Sequence, residues 1–191
     1  KFGTNMLLFG DTVDENALDH LAMLGDMGFD GAEVPVFDPA SVDAATIRRR
    51  AYDTGLELTV SGALPEGSGF SGTARAREVA EAYLRETIRV AAELGAPVIC
   101  GPLYKVIGDM EPGVSLEEQR ARAAEALKPL ADEAARAGVV LALEPLNRFE
   151  TDLINTVEDG IAFCCAVDSP GVSLLLDTFH MHIEEKDSAA A

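Results

Sequence analysis

Two acidic residues each follow a short apolar run of the sequence. Glu144 comes after the run 139–143 and Asp177 after the run 172–176. Removing a carboxylate from water at the end of a buried strand costs several kcal/mol unless a cation or hydrogen bonds offset it. On neighbouring parallel strands the two carboxylates would lie roughly 5 Å apart at one level. This spacing suits two oxygen ligands of one divalent ion, so the pair favours a metal site over two separate hydrogen-bond acceptors.

Two further polar residues lie close to this pair in the chain. His180 stands three positions after Asp177 and could hydrogen-bond a substrate oxygen from the rim of the site. The alternative is a loop histidine that packs against Phe179. Glu150 follows Glu144 by six positions, which is close enough for its side chain to return over the mouth of the site.

The elements that would carry these residues repeat along the chain. Short apolar runs alternate with long amphipathic segments, and a glycine precedes most of the runs. Continuous apolar runs are typical of strands that are buried on both faces, as in parallel sheets. Capping boxes start the helices at Thr12, Ser115 and Thr156, and the longest helix spans 73–94 before Gly95. The predicted strands cover 2–9, 32–37, 57–61, 97–100, 139–144 and 172–177.

Six β/α units suit either a doubly wound open sheet or a (β/α)8 barrel. The glycine-rich fingerprint of dinucleotide-binding folds does not follow the first strand, which weakens the first alternative. Polar residues instead cluster after the ends of strands, at 144–150 and 177–182. Both architectures gather ligands there, so the choice between them depends on the motifs themselves.

Composition and charge restrict the classes of partner that the protein could bind. The 191 residues are 48% apolar and 25% charged, which is ordinary for one globular domain. The formal net charge of -18 opposes binding to nucleic acid or to an anionic membrane. The sequence has no apolar run that could span a bilayer and no signal-peptide pattern at its start, so we expect a cytoplasmic protein.

The stretches 144–150 (EPLNRFE) and 176–185 (LDTFHMHIEE) resemble the D-tagatose 3-epimerase family. That family includes D-allulose (psicose) and L-ribulose 3-epimerases, among the xylose isomerase-like TIM barrels. The resemblance covers the whole chain in layout, but its specificity lies in these two stretches. It implies an α/β fold in which residues 1–191 form the first six β/α units of a single (β/α)8 TIM-barrel domain, without strands 7 and 8.

The resemblance also implies roles for the four polar residues. Glu144 would be a metal ligand and one of two glutamates that exchange the proton at C3 of a free ketose, through a cis-enediolate. Asp177 would be a second ligand of a divalent ion, Mn²⁺ before Mg²⁺ or Co²⁺. Glu150 and His180 would bind hydroxyl and carbonyl oxygens of the ketose. The family suggests a homodimer or a homotetramer.

The sequence departs from the family pattern in ways that leave alternatives open. The family's third and fourth metal ligands, the second of which is also the other catalytic glutamate, have no counterpart in residues 1–191. Pro145 and Leu146 are closer to the wider sugar-phosphate isomerase group, so a hydroxypyruvate-isomerase-like or sugar-phosphate enzyme is one alternative. Lys105 and Arg148 are the main basic residues that could bind the phosphate group of such a substrate. A non-catalytic carbohydrate-binding module is the other alternative, and buried strand-end carboxylates disfavour it.

Overall fold

The fold is one parallel sheet covered by helices, seen in a computed structural model that describes residues 1–14 and 17–191. All neighbouring strands are parallel, and their order in the sheet follows the chain from β1 to β6. Strands β1 and β6 therefore form the two edges of the sheet. The strands are β1 (Gly3–Asn5), β2 (Gly31–Pro35), β3 (Glu57–Ser61), β4 (Val98–Gly101), β5 (Val140–Leu143) and β6 (Val172–Leu174).

A helix follows each strand, as the alternation in the sequence predicts. Successive helices from α1 to α5 pack side by side, and their apolar faces meet those of the strands in one continuous core. The helices are α1 (Glu15–Asp26), α2 (Ala44–Thr54), α3 (Ala74–Leu94), α4 (Leu116–Arg136), α5 (Val157–Val167) and α6 (Thr178–Glu184). Among the described residues, none of these helices has the length and hydrophobicity needed to cross a lipid bilayer.

Most predicted helix starts are confirmed. Side-chain oxygens of Thr73, Ser115 and Thr156 accept backbone N–H groups in the first turns of α3, α4 and α5, which satisfies donors that the helix leaves unpaired. Thr156 and Asp159 form the predicted reciprocal capping box. The box predicted at Thr12 is wrong, because the cap of α1 is Asp14, which accepts the N–H of Ala17 at 2.9 Å.

The first and sixth strands end well before their predicted bounds, and a polar side chain accepts a backbone hydrogen bond in the turn or helix that follows each. The first strand was expected over 2–9 but ends at Asn5, whose side chain accepts the N–H of Leu7 at 2.9 Å and starts a 3-10 turn. The sixth was expected over 172–177 but ends at Leu174. Asp177 caps α6 instead, accepting the N–H of Phe179 at 2.7 Å.

Candidate active site

The C-terminal ends of β5 and β6 bring the predicted carboxylates together. The N–H of Glu144 bonds to the carbonyl of Gly101, the last residue of β4, at 3.0 Å, and the N–H of Leu175 bonds to the carbonyl of Leu143 at 2.9 Å. These bonds extend the sheet just far enough to align Glu144 with Asp177. One ligand atom each from Glu144, Asp177 and His180 lie within 4.8 Å of one another.

A cavity of about 550 Å³ opens beside the two carboxylates, at the edge where the strands end. Two glycines bring β3 and β4 close together at its floor. Gly101 has a φ of +131°, and a Cβ atom there would lie 2.1 Å from the carbonyl oxygen of Gly62. The polar side chains that line the cavity come from all six strands or the segments that follow them: Asn5, Glu33, Ser61, Cys100, Glu144, Asp177 and Thr178.

Glu144 sits in an environment that opposes its negative charge. Burial raises its pKa to about 7, and the neighbouring carboxylates of Asp177, Glu33 and Glu150 add to the effect. A cation between Glu144 and Asp177 would remove this repulsion and compensate the desolvation. Paired carboxylate oxygens at this separation are the ligands that hard divalent ions prefer, so the residues fit the predicted metal.

His180 reaches the same site from α6. Its ring is buried, and its Nε2 atom lies 3.7 Å from Glu144 Oε1 and 3.9 Å from Asp177 Oδ2. The ring also contacts Phe179 edge-on, with ring centroids 5.2 Å apart. His180 therefore packs against Phe179, as the alternative predicted, and also lies at the site.

Glu150 lies beside the site without lining the cavity. Its Oε1 atom accepts a hydrogen bond from Asn147 Nδ2 at 2.7 Å, and its backbone carbonyl accepts the N–H of Gly108 at 2.7 Å. The side chain is near enough to Glu144 to raise that residue's pKa. The structure thus groups all four predicted residues, with Glu144 and Asp177 at the cavity and Glu150 behind them.

Sequence reasoning missed Glu33, which lies on the inner face of β2. Its carboxylate accepts hydrogen bonds from Asn5 Nδ2 at 2.8 Å, from Thr59 Oγ1 at 3.2 Å and from the thiol of Cys100 at 2.9 Å. These donors belong to β1, β3 and β4, so one side chain links four strands. An acidic residue between Ala32 and Val34 of a buried strand was the available signal.

Ser61 and Asn147 were also missed. Ser61 is buried at the cavity, and within the described part of the chain its Oγ atom has no hydrogen-bond partner. Asn147 is buried between Glu150 and His180. Serine and asparagine are common in loops for many reasons, so their types and positions alone carried no signal.

Comparisons with known proteins identify the family of the chain. Residues 21–191 match the family model described as "Xylose isomerase-like TIM barrel". The chain belongs to this family. Its members include a relative from Mesorhizobium japonicum named L-ribulose 3-epimerase, which is 38% identical over all of this chain and 65% of the relative. The ketose 3-epimerase of Arthrobacter globiformis is 34% identical over 84% of this chain and 55% of its own length.

Solved structures of the family share the fold of this chain. An L-ribulose 3-epimerase structure superposes with a TM-score of 0.89 at 35% identity, over 97% of this chain and 63% of the other. The D-allulose 3-epimerase of a Methylomonas species, in complex with D-allulose, gives a TM-score of 0.87 at 32% identity, over 97% and 65%. The chain spans about two thirds of the length of these relatives, and the six parallel β/α units confirm the predicted part of a TIM barrel.

Proposed function

We propose that the protein is a metal-dependent ketose 3-epimerase that acts on free ketoses. The observation that carries the proposal is the cluster of Glu144, Asp177 and His180, whose ligand atoms lie within 4.8 Å at the strand ends of this fold. The relatives named ketose or L-ribulose 3-epimerase support the same reaction. Candidate substrate pairs are D-allulose and D-fructose, D-tagatose and D-sorbose, and L-ribulose and L-xylulose.

In this proposal Glu144 and Asp177 hold one divalent ion, with Mn²⁺ as the first candidate. A divalent ion bound there would polarise the C2 carbonyl of the ketose and make the proton at C3 more acidic. In this proposal Glu144 acts as the general base that removes the proton from one face. His180 and Glu150 orient the substrate oxygens. A second acid on the opposite face returns the proton and inverts C3.

The remaining part of our proposal concerns where that second acid lies in the protein. We propose that residues 1–191 form one domain with two further β/α units, which provide the opposing glutamate and two more ligands. The greater length of the relatives supports this arrangement. By the same resemblance we propose a homodimer or homotetramer in the cytoplasm.

A sugar-phosphate substrate is the less supported alternative. The sequence offered Lys105 and Arg148 as possible phosphate ligands, and both are engaged elsewhere. Lys105 Nζ is buried and bonds to Asp152 Oδ1 at 2.7 Å and Gln119 Oε1 at 3.0 Å. The guanidinium of Arg148 forms a two-pronged pair with Glu184 at 2.8–3.2 Å. Releasing either cation would break a charged pair.

Isotope exchange tests the proposed reaction. The full-length enzyme with Mn²⁺ should incorporate deuterium from D2O at C3 of a free ketose, detected by NMR. Glu144→Gln keeps the shape but removes the base, and should lower the exchange rate at least about 100-fold. Glu117→Gln, an exposed change in the first turn of α4, is the matched control and should exchange normally.

Other positions of exchange would identify other reactions. Exchange at C1 would indicate an aldose–ketose isomerase instead. A 4-epimerase is a specific second candidate, because the 3-dehydro-D-guloside 4-epimerase of Escherichia coli is 30% identical over all of this chain and 73% of its own length. Turnover of a 3-keto sugar with inversion at C4, without exchange at C3 of any ketose, would favour it. Full exchange in metal-free enzyme would contradict the metal assignment.

A further inference from the structure

Two hydrogen-bond donors converge on one ring nitrogen of His180. The backbone N–H of Asn147 points at His180 Nδ1 from 3.2 Å, and the side-chain Nδ2 of Asn147 lies 2.9 Å from the same atom. Both residues are buried, so water does not compete freely for these contacts. A peptide nitrogen can only donate, so this longer contact favours Nδ1 as an acceptor, and the shorter contact with the amide adds to the preference.

The orientation of the Asn147 amide is fixed independently of the histidine. Its Oδ1 atom accepts the N–H of Phe149 at 3.0 Å, and its Nδ2 atom donates to Glu150 Oε1 at 2.7 Å. Exchanging the oxygen and nitrogen would place two donors together at Phe149 and two acceptors together at Glu150. The second hydrogen of Nδ2 is therefore directed to His180 Nδ1.

An Nδ1 atom that accepts two hydrogen bonds has no proton, so the proton of the neutral ring is on Nε2. Nε2 is the atom that faces Glu144 Oε1 at 3.7 Å and Asp177 Oδ2 at 3.9 Å. Both distances are longer than a hydrogen bond, which leaves the N–H directed at the space between the carboxylates. A protonated nitrogen has no lone pair for a metal ion.

We propose that Asn147 is a positioning residue that holds His180 as the Nε2–H tautomer, so that the ring donates a hydrogen bond at the site and does not ligate the metal. Its use on a ketose oxygen rests on the proposed function. The assignment of the tautomer stands on the hydrogen bonds alone. It separates the three-residue cluster into two metal ligands, Glu144 and Asp177, and one hydrogen-bond donor.

Further hydrogen bonds hold the loop that carries Asn147. The carbonyl of Asn147 accepts the N–H groups of Glu150 at 3.0 Å and Thr151 at 3.2 Å. Asn155 Nδ2 bonds to the carbonyls of Leu146 at 2.8 Å and Thr151 at 2.9 Å. Asn155 thus supports the same loop through hydrogen bonds that do not involve His180, which makes it a matched control.

The tautomer can be measured in the wild-type protein. Histidine-selective ¹⁵N labelling of the full-length, metal-free protein at pH 7.5, with two-bond ¹H–¹⁵N correlation, distinguishes a protonated from an unprotonated ring nitrogen. The His180 signal is assigned by its loss in His180→Gln. We expect a pure Nε2–H ring. Its ¹⁵N chemical shifts should stay unchanged when Mn²⁺ replaces the chelator, apart from paramagnetic broadening. A parallel experiment with diamagnetic Mg²⁺ avoids that broadening. An Nδ1–H ring, a mixture, or a metal-bound Nε2 would overturn the proposal.

Variants test whether Asn147 sets the tautomer. Asn147→Asp keeps the acceptor for Phe149 but turns an acceptor toward Nδ1, so the Nδ1–H form should appear. Asn147→Ser removes the amide donor and should give a mixture if the Asp variant does not fold. Asn155→Ala should keep the Nε2–H form. Wild-type spectra in both Asn147 variants would contradict a specific role of the Asn147 amide. So would a loss of the Nε2–H form in Asn155→Ala as large as that in the Asn147 variants.

Kinetics separate this inference from the proposed function. If both hold, Asn147→Asp should lower kcat about tenfold with a smaller change in KM, the effect of one misplaced donor. Absence of ketose exchange in a wild-type protein with an Nε2–H ring would overturn the function and support the tautomer. Wild-type kcat in a variant with a switched ring would overturn the role of the donor.

Discussion

At the scale of single residues, burial and charge repulsion together oppose the negative charge of Glu144. Glu144 lies among three other carboxylates, and its pKa of about 7 reflects burial first and these neighbours second. Tyr104 donates its hydroxyl to the backbone carbonyl of Glu144 at 2.9 Å, which holds the main chain but does not relieve the carboxylate. A site of this kind stores unfavourable electrostatic energy until a cation or a proton enters it.

This predicts an unusual pH dependence of stability for the metal-free protein. Below pH about 4.5 Glu144 is protonated in both the folded and the unfolded state, and above about pH 7 it is ionised in both. The folded state therefore loses stability as the pH rises through this window, by a few kcal/mol at most. Thermal melts in chelator should show it, with a weaker slope in Glu144→Gln.

Added metal should reverse the trend. Ligands bind as carboxylates, so Mn²⁺ should raise the melting temperature more at pH 7.5 than at pH 5. An equal slope in Glu144→Gln and the wild type, or an equal effect of Mn²⁺ at both pH values, would contradict the assignment of Glu144.

The residues that sequence reasoning found and missed differ in a physical way. Glu144 and Asp177 interrupt apolar runs, so desolvation makes them conspicuous in the sequence alone. The importance of Asn147 comes from a partner that is distant in the chain. That of Ser61 comes from its position in the wall of the cavity. Asn147 meets His180 across 33 positions. Only the folded chain shows such pairs.

At the scale of elements, the close approach of β3 and β4 shapes the cavity. Gly101→Ala would bring a Cβ atom to 2.1 Å from the carbonyl of Gly62, at a φ of +131° that side chains rarely adopt. We expect a loss of at least about 2 kcal/mol in the free energy of unfolding, because backbone strain and overpacking add.

Gly113→Ala is the matched control for that substitution. Gly113 also has a positive φ, +85°, but a Cβ atom there would meet nothing within 4 Å. Denaturant unfolding of both variants separates the two effects, since only backbone strain applies to Gly113. Equal destabilisation would mean that the contact with Gly62 is relieved at little cost.

Element interiors were more predictable than element ends. Apolar runs located all six strands, and β3 was predicted with its observed bounds, Glu57–Ser61. Strand and helix ends depend on single backbone hydrogen bonds that the side chains of Asn5, Asp14 and Asp177 accept, and other polar side chains nearby could compete for these N–H groups. The hydrophobic periodicity of the sequence does not indicate which of these polar side chains ends the element.

At the scale of the whole molecule, the sheet of residues 1–191 has two unpaired edges. A TIM barrel has no edges, because its last strand pairs with its first. Phe2 and Leu8 flank β1 with exposures of 80% and 78%, and Phe179 beyond β6 is 62% exposed. Apolar side chains next to an open strand edge are a template for association with another chain.

We therefore expect residues 1–191, expressed alone, to aggregate or to stay partly folded, and to lack epimerase activity. With Glu144 and Asp177 as the available carboxylate ligands, Mn²⁺ should bind weakly, and the second proton-transfer acid is missing from our proposed site. The matched control is the same chain extended by the two β/α units that we propose complete the barrel. Sedimentation, thermal melts, Mn²⁺ titration and C3 exchange should all distinguish the two. A soluble, cooperatively melting and active 191-residue protein would show that six β/α units suffice, and would contradict the need for a second glutamate from a later strand.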